Sequence, residues 1–425
     1  MNRRYFLQTA AVGAGIRKAV AASDKINIAV IGIRGRGRSL TASFLKEADA
    51  NIAYICDVDE NVYERGAKIV EGLRGKRPPL VKDLRRVLDD KSVDAVVIAT
   101  PDHWHGPATL LAVDAGKDVY VEKPASHNLR EGRMMVDAAR RTKRIVQVGT
   151  QARSRVSTQK AIEYVHSGKI GKVLMAKAWD VQLRDDIGHK NDSAVPAGVD
   201  YDTWTGPALA MPFNENRFHY KWHWNWNYGT GDMGNDGVHQ MDIARQALGV
   251  ELPVSVSGMA RKLFFDDDQQ TPDTMNITFN FPDKVLMFEM RIWNPYGMED
   301  QENGVAVYGS TGMVQIGRWN KKWGFKVYDD KGKLALDQSG NEVDLDERHQ
   351  RNFLDCIKSR KAPNAEIEIG HRSTTLCHLG NVIAKTGRNL RFDAKTETIA
   401  GDQEATKLLG RQYRKHWSTP KIGAA

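Results

Sequence analysis

The feature that most constrains this chain is an alternation of short apolar runs and amphipathic stretches from Lys25 to Thr150. "INIAVIGI", "NIAYICDV", "VDAVVIAT", "DVYV" and "RIVQVGT" read as strands with no polar–apolar alternation. Between them, "GRGRSLTASFLKEA", "ENVYERGAKIVEGL", "WHGPATLLAVDAG" and "LREGRMMVDAARRT" space their apolar residues as helices do. A strand that is apolar on both sides must be covered on both sides, and helices in the connections provide that cover. The pattern therefore predicts a doubly wound parallel sheet of the α/β class over residues 24–150.

Beyond residue 150 the texture changes. A helix, "STQKAIEYVHSG", leads into "KVLMAKAWDVQL" and then a stretch from 184 to 230 rich in Trp, Asn, Pro and Gly. A further helix, "VHQMDIARQALG", precedes the strands "PVSVSGMA", "DTMNITFNF", "KVLMFEMRIW", "GVAVYGS" and "FKVYDD". Their alternation and the tight "FPDK" link suit antiparallel pairing with one covered face. Two helices follow, around "DERHQRNFLDCIKSRK" and "GHRSTTLCHLGNVIAKTG". The expectation is an α+β domain over 151–417 with a large open, mostly antiparallel sheet, through which the chain would form a homo-oligomer.

Composition excludes some classes. The chain has 62 Lys and Arg against 53 Asp and Glu, a net charge of +9. The basic residues are scattered rather than blocked, so no nucleic-acid partner is expected. No apolar run after the N-terminus is long enough to span a membrane. The three cysteines, Cys56, Cys356 and Cys377, have no metal-like spacing, and an odd number does not make a disulfide framework. The first 22 residues stand apart. Arg3-Arg4, then Phe6-Leu7, a small apolar run and "AVAAS" resemble a twin-arginine export signal, although Arg17 and Lys18 interrupt the apolar part. That start predicts a periplasmic or exported protein; the plainer alternative is a disordered leader on a cytoplasmic one.

"VIGIRGRG" follows the first strand and opens the first helix. A dinucleotide loop needs glycine there for a tight turn, for approach of the pyrophosphate and for helix–strand packing. Gly32 and Gly37 take the first and third positions of GxGxxG, whereas Arg34 stands at the second, with glycine displaced to Gly35. Arg34 or Arg36 is then a candidate phosphate contact. Asp57 ends the second strand, where a carboxylate accepts hydrogen bonds from ribose hydroxyls and repels a 2′-phosphate. The cofactor expected is NAD rather than NADP. A helix cap is the plainer role for this acidic turn.

"VVIATPDHWHGP" and "AGKDVYVEKPAS" resemble the two signature stretches of the Gfo/Idh/MocA family of nicotinamide-dependent oxidoreductases, and "GKIGKV" and "GVHQMD" fall where its second domain has them. The leader resembles that of an exported subgroup. The resemblance implies a Rossmann-type first domain and action on sugars, inositols and related polyols. It places Lys123 beside the nicotinamide, bonded to the hydroxyl being oxidised; a buried amine near a positive ring can accept that proton. Glu122 would orient the amine or touch the nicotinamide riboside, and Thr100, Pro101 and His105 would line the cofactor cleft. His239 matches the family's substrate-domain histidine. The family's aspartate four residues earlier is here Asn235, with Asp236 displaced by one. Asparagine bonds a hydroxyl but accepts no proton, so Lys123 or His239 would carry more of the chemistry, with Asp242 supporting the histidine.

Arg153, and Tyr220 and Trp222 in "FHYKWHWNWNYGTGD", are further candidates for the substrate side, since aromatic faces stack on sugar C–H faces. A tryptophan-rich core or a subunit contact is the competing reading of that stretch. His103 with His105, and His219 with His223, lack a completing ligand set, so no metal is expected. Two other functions share these motifs. One is a redox-assisted glycosidase or lyase that recycles bound NAD; the other is a non-catalytic NAD and sugar sensor.

Overall fold

The computed structural model describes residues 25–343 and 347–421. The leader motif and its cleavage stretch lie outside them. Six strands form the first sheet: β1 (Ile26–Ile31), β2 (Ala50–Cys56), β3 (Leu80–Val81), β4 (Ala95–Ile98), β5 (Asp118–Val121) and β6 (Val146–Val148). Their order is β3-β2-β1-β4-β5-β6 and every pairing is parallel. The strands are mostly apolar because both faces are buried, and the period-2 geometry sorts them into two cores. Ile28, Val30, Val97 and Tyr120 face Leu40, Phe44 and Val70; Ala29, Ile31, Val96 and Val121 face Val87, Ala108, Ala112 and Met135.

One cover helix comes from far along the chain. Glu347–Ser359 inserts Phe353 and Leu354 into the first of these cores, and His349 Nε2 meets the carbonyl of Val148 at 2.9 Å. The division at residue 150 assigned this helix to the second domain. Its apolar side packs on the first domain's sheet.

Among the described residues the second sheet has eleven strands. Thr274–Asn280 and Val285–Arg291 alternate buried and exposed residues. The buried side packs under helices Val156–His166, Val238–Leu248 and Ile367–Thr386. Val173–Val181 runs parallel to Val285–Arg291 and antiparallel to Asn303–Gly309, so the sheet is mixed. Gly312–Trp319 adds a strand that the sequence pattern hid, since its two glycines and Gln315 and Arg318 dilute the alternation.

The stretch 184–230 builds a small core of its own from Trp204, Ala208, Phe213, Phe218 and Tyr228. It reaches the first domain directly: Asp200 donates its N–H to the carbonyl of Val58 at 2.9 Å, and Glu60 donates to that of Gly198 at 3.1 Å. The aromatic cluster thus roofs the rim of the parallel sheet.

Candidate active site

In an open parallel sheet, ligands bind beyond the carboxyl ends of the strands, where the strand order reverses. Here β1 and β4 are neighbours at that point, and a cleft opens over the residues that follow them. Gly32, Arg34, Gly35 and Arg36 line it after β1, Asp57 after β2, Thr100, Pro101 and His105 after β4, and Glu122 and Lys123 after β5. Thr203, Trp204, His219, Tyr220, Trp222, His223 and Asn235 close it from the second domain.

The loop after β1 explains its own glycines. Gly32 has φ +85°, and a Cβ there would stand 2.6 Å from the carbonyl oxygen of Ala99. A Cβ on Gly37 would collide with the carbonyl of Gly32. A Cβ on Gly35 would meet nothing within 4 Å, so the chain's own packing leaves that position open. Helix Arg36–Phe44 starts there with no side-chain cap, and its first N–H groups suit an anion. The displaced glycine therefore still leaves room for a pyrophosphate against the helix start. Arg36 lines the cleft while its Nε donates to Glu122 Oε1 at 2.7 Å.

Asp57 is held by two backbone donors, Ile33 N to Oδ2 at 2.8 Å and Asp59 N to Oδ1 at 3.0 Å, which leaves lone pairs for ribose hydroxyls. Enclosure pushes its carboxyl up to about 6 against the pull of those N–H groups. The cap reading belongs to its neighbour: Asp59 Oδ1 accepts from Asn61 N at 3.0 Å, and its Oδ2 meets His219 Nε2 at 2.8 Å.

Glu122 is buried. Burial alone would raise its pKa, but Arg36 and Lys123 outweigh it and hold the carboxyl below its ordinary value. Gln151 Nε2 also donates to it at 3.2 Å. His105 joins two strand ends, with Nδ1 2.6 Å from the Pro124 carbonyl and Nε2 2.9 Å from that of Thr100. His103 faces the Trp204 carbonyl instead, at 2.8 Å. Within "HYKWHW", His219 turns to Asp59 and His223 to the carbonyl of Tyr220.

Lys123 crosses the cleft to the second domain. Its Nζ donates to the backbone carbonyl of Asn235 at 2.6 Å and to Asn235 Oδ1 at 2.9 Å. Asn235 sits in a π-turn, Met233–Gly237, that leads into helix Val238–Leu248, whose second residue is His239. Among the described residues no hydrogen bond engages the His239 ring. Burial, and then Lys123, bring its protonation down to about 4, against Asp236 and Glu122. At neutral pH it is an uncharged imidazole.

Asp236 does not take the place of the missing aspartate. It pairs with Arg184 and accepts from Gln182 Nε2 at 2.8 Å. Lys123 and Arg184 overcome its burial and hold it at about 2. Nor does Asp242 support His239; it pairs with Arg153 at 2.8 Å, and both are buried. Arg153 thus stands in a structural ion pair and does not line the cleft. Tyr220 and Trp222 do line it, and Arg184 Nη1 donates to Tyr220 Oη at 2.9 Å.

Asp180, Gln182, Arg184 and Asp232 were missed. "DVQLR" carries its polar residues at alternate positions off a strand, so they share one face. That spacing was a usable signal. Asp180 is fully buried, and burial with Asp236 and Asp232 nearby pushes its carboxyl well above the ordinary range.

Residues 26–150 match "Oxidoreductase family, NAD-binding Rossmann fold", and residues 172–419, more than half of the chain, match "Oxidoreductase family, C-terminal alpha/beta domain". The chain belongs to the Gfo/Idh/MocA oxidoreductase family. Its first domain is the family's NAD-binding Rossmann fold. Among curated Gfo/Idh/MocA relatives, inositol 2-dehydrogenase 2 of Saccharopolyspora erythraea is 31% identical over 252 residues, covering 57% of this chain and 61% of that one. A glycosyl hydrolase family 109 protein of the same organism is 31% identical over 173 residues, 39% of this chain and 38% of that one. The chain therefore spans less than two thirds of either relative. The crystal structure of aldose-aldose oxidoreductase from Caulobacter crescentus complexed with glycerol shares the fold, with TM-score 0.67 and 18% identity over 87% of this chain and all of that one. The WlbA dehydrogenase from Bordetella pertussis, in complex with NADH and UDP-GlcNAcA, gives 0.65 and 18% over 87% and 99%.

Proposed function

We propose that this chain is an NAD-dependent dehydrogenase of a sugar or polyol, with Lys123 as the group that takes the hydroxyl proton. The observation that carries this reading is Lys123 itself: it follows the carboxyl end of β5, lines the cleft and is held by a residue of the second domain. Gly32, Gly35, Gly37, Asp57 and the uncapped helix start would hold NAD, which supplies the hydride acceptor when bound. Two hydrogen bonds to Asn235 fix the direction of the Lys123 amine and leave its remaining valence for a substrate hydroxyl. His239, uncharged and with no ring hydrogen bond among the described residues, can hold a second hydroxyl or pass the proton onward. Tyr220 and Trp222 offer faces to the sugar ring. The inositol dehydrogenase and aldose oxidoreductase relatives support the substrate class.

Substituting Lys123→Met tests this. Turnover in a sugar and polyol panel, read as NADH absorbance, falls by about 10²–10⁴-fold, the usual weight of a positioned acid–base group, while NAD affinity stays within about twofold. Parental turnover would remove Lys123 from the mechanism. Aglycone release from aryl glycosides without net NADH would instead favour the glycosidase reading, which the family 109 relatives make worth including.

Two further proposals concern the whole chain. The open sheet face presents Met259 and Met287 to solvent beside Met175, which suits a second copy; light scattering of the purified chain reads the mass directly. Arg3-Arg4 suits export, and cell fractionation of an R3K/R4K variant should show precursor retained in the cytoplasm.

A further inference from the structure

Among the described residues, the Lys123 amine bonds to uncharged oxygens, both from Asn235. An amide is two-faced: rotated by half a turn, Asn235 would present N–H to the lysine and lose that contact. Something must fix its sense. Asn235 Nδ2 donates to Asp232 Oδ1 at 2.8 Å, and an acceptor-only group there forbids the flipped amide. Asp232 is fully buried and is itself gripped by Arg184, Nε to Oδ2 at 2.9 Å and Nη2 to Oδ1 at 3.1 Å. Arg184 also pairs with Asp236 and reaches Tyr220.

We infer that Asp232, oriented by Arg184, is a positioning residue: it locks the Asn235 amide so that its oxygen, and not its nitrogen, faces the Lys123 amine. The chain Arg184–Asp232–Asn235–Lys123 has one permitted direction of hydrogen bonding along it. The inference rests on reading Lys123 as the proton acceptor, because only then does the aim of its amine set the rate. The carboxylate stands one hydrogen bond beyond the amide, three residues earlier at the cap of the π-turn, and acts through that amide.

The test must separate action through Asn235 from a direct effect of the Asp232 charge. Brief acetic anhydride labelling of the purified full chain, with Lys123 quantified by mass spectrometry, reads the amine without any substrate. Asp232→Asn frees the amide and speeds labelling of Lys123 by threefold or more. Asn235→Leu, which removes the amide oxygen, does the same. If Asp232 works through Asn235, the double variant labels at the rate of Asn235→Leu alone; if it works directly, the two factors multiply and the inference is overturned. Arg184→Lys, a milder change that loses the fork, moves labelling in the same direction by less, and serves if Asp232→Asn fails to fold. With a sugar substrate, Asp232→Asn lowers kcat about tenfold while KM for NAD moves less than twofold; an equal fall in NAD affinity would indicate a merely structural role. Parental turnover by Lys123→Met would sink the base assignment and leave the labelling pattern standing. Multiplicative labelling sinks the relay and leaves that base assignment intact.

Discussion

Asp57 shows how one carboxylate at a strand end can make cofactor affinity depend on pH. Its protonation is pushed up to about 6, so at pH 7.5 it is ionised and accepts ribose hydroxyls, whereas near pH 5 it carries a proton. NAD affinity should fall as pH drops through about 6, and Asp57→Asn should bind weakly with the pH dependence gone; isothermal titration at pH 7.5 and 5.5 reads both. Arg153 and Asp242 make the opposite case, a charged pair remote from the chemistry. Asp242→Asn leaves a buried guanidinium without its carboxylate and should cost about 3–5 kcal/mol of stability, seen in urea melts, with KM for substrate unchanged. At this scale the sequence was legible wherever a residue's position follows from a strand end, as Lys123, Asp57 and Gly32 all line the cleft. It was not legible where roles depend on contacts across domains. Nothing in "NDGVH" says that Asp236 turns to Arg184, or that Arg153 spends its charge on Asp242.

Among the elements, the strands and helices of the first domain stood out because both-face burial and helical spacing leave different marks on a sequence. The segment 184–230 left no periodic mark, since its order comes from ring contacts. Trp204 packs on Tyr201 with ring centroids 5.6 Å apart and on Tyr228 at 4.7 Å, while its carbonyl receives His103 and the indole of Trp104. One side of the cluster is a core and the other lines the cleft. Trp204→Ala should therefore cost about 3–5 kcal/mol and also weaken NAD binding about tenfold, a coupling that stability and binding titrations would reveal together.

Across the whole molecule, uncharged buried histidines set the acid limit. His103 and His378 protonate only near 3 and His349 near 4, chiefly because burial disfavours the charged ring. Unfolded, each takes up a proton near 6.5. Between about 6.5 and 4 the unfolded chain therefore binds more protons, and stability falls with pH by as much as about 1.4 kcal/mol per pH unit for each of them. Asp57 and Asp180, whose carboxyls are raised, work the other way in the acid range. The urea midpoint should be lower at pH 5 than at pH 7, and His349→Gln should flatten the slope.

Glu347–Ser359 fills one face of the nucleotide-binding half some two hundred residues after that half's last strand. A ribosome releasing this polypeptide in order exposes Ile28, Val30 and Tyr120 long before Phe353 and Leu354 arrive to shield them. The nascent N-terminal portion must wait, half-clothed, for its distant partner. A gene cut after Thr150 should then yield a sticky, chaperone-dependent fragment rather than a freestanding nucleotide binder.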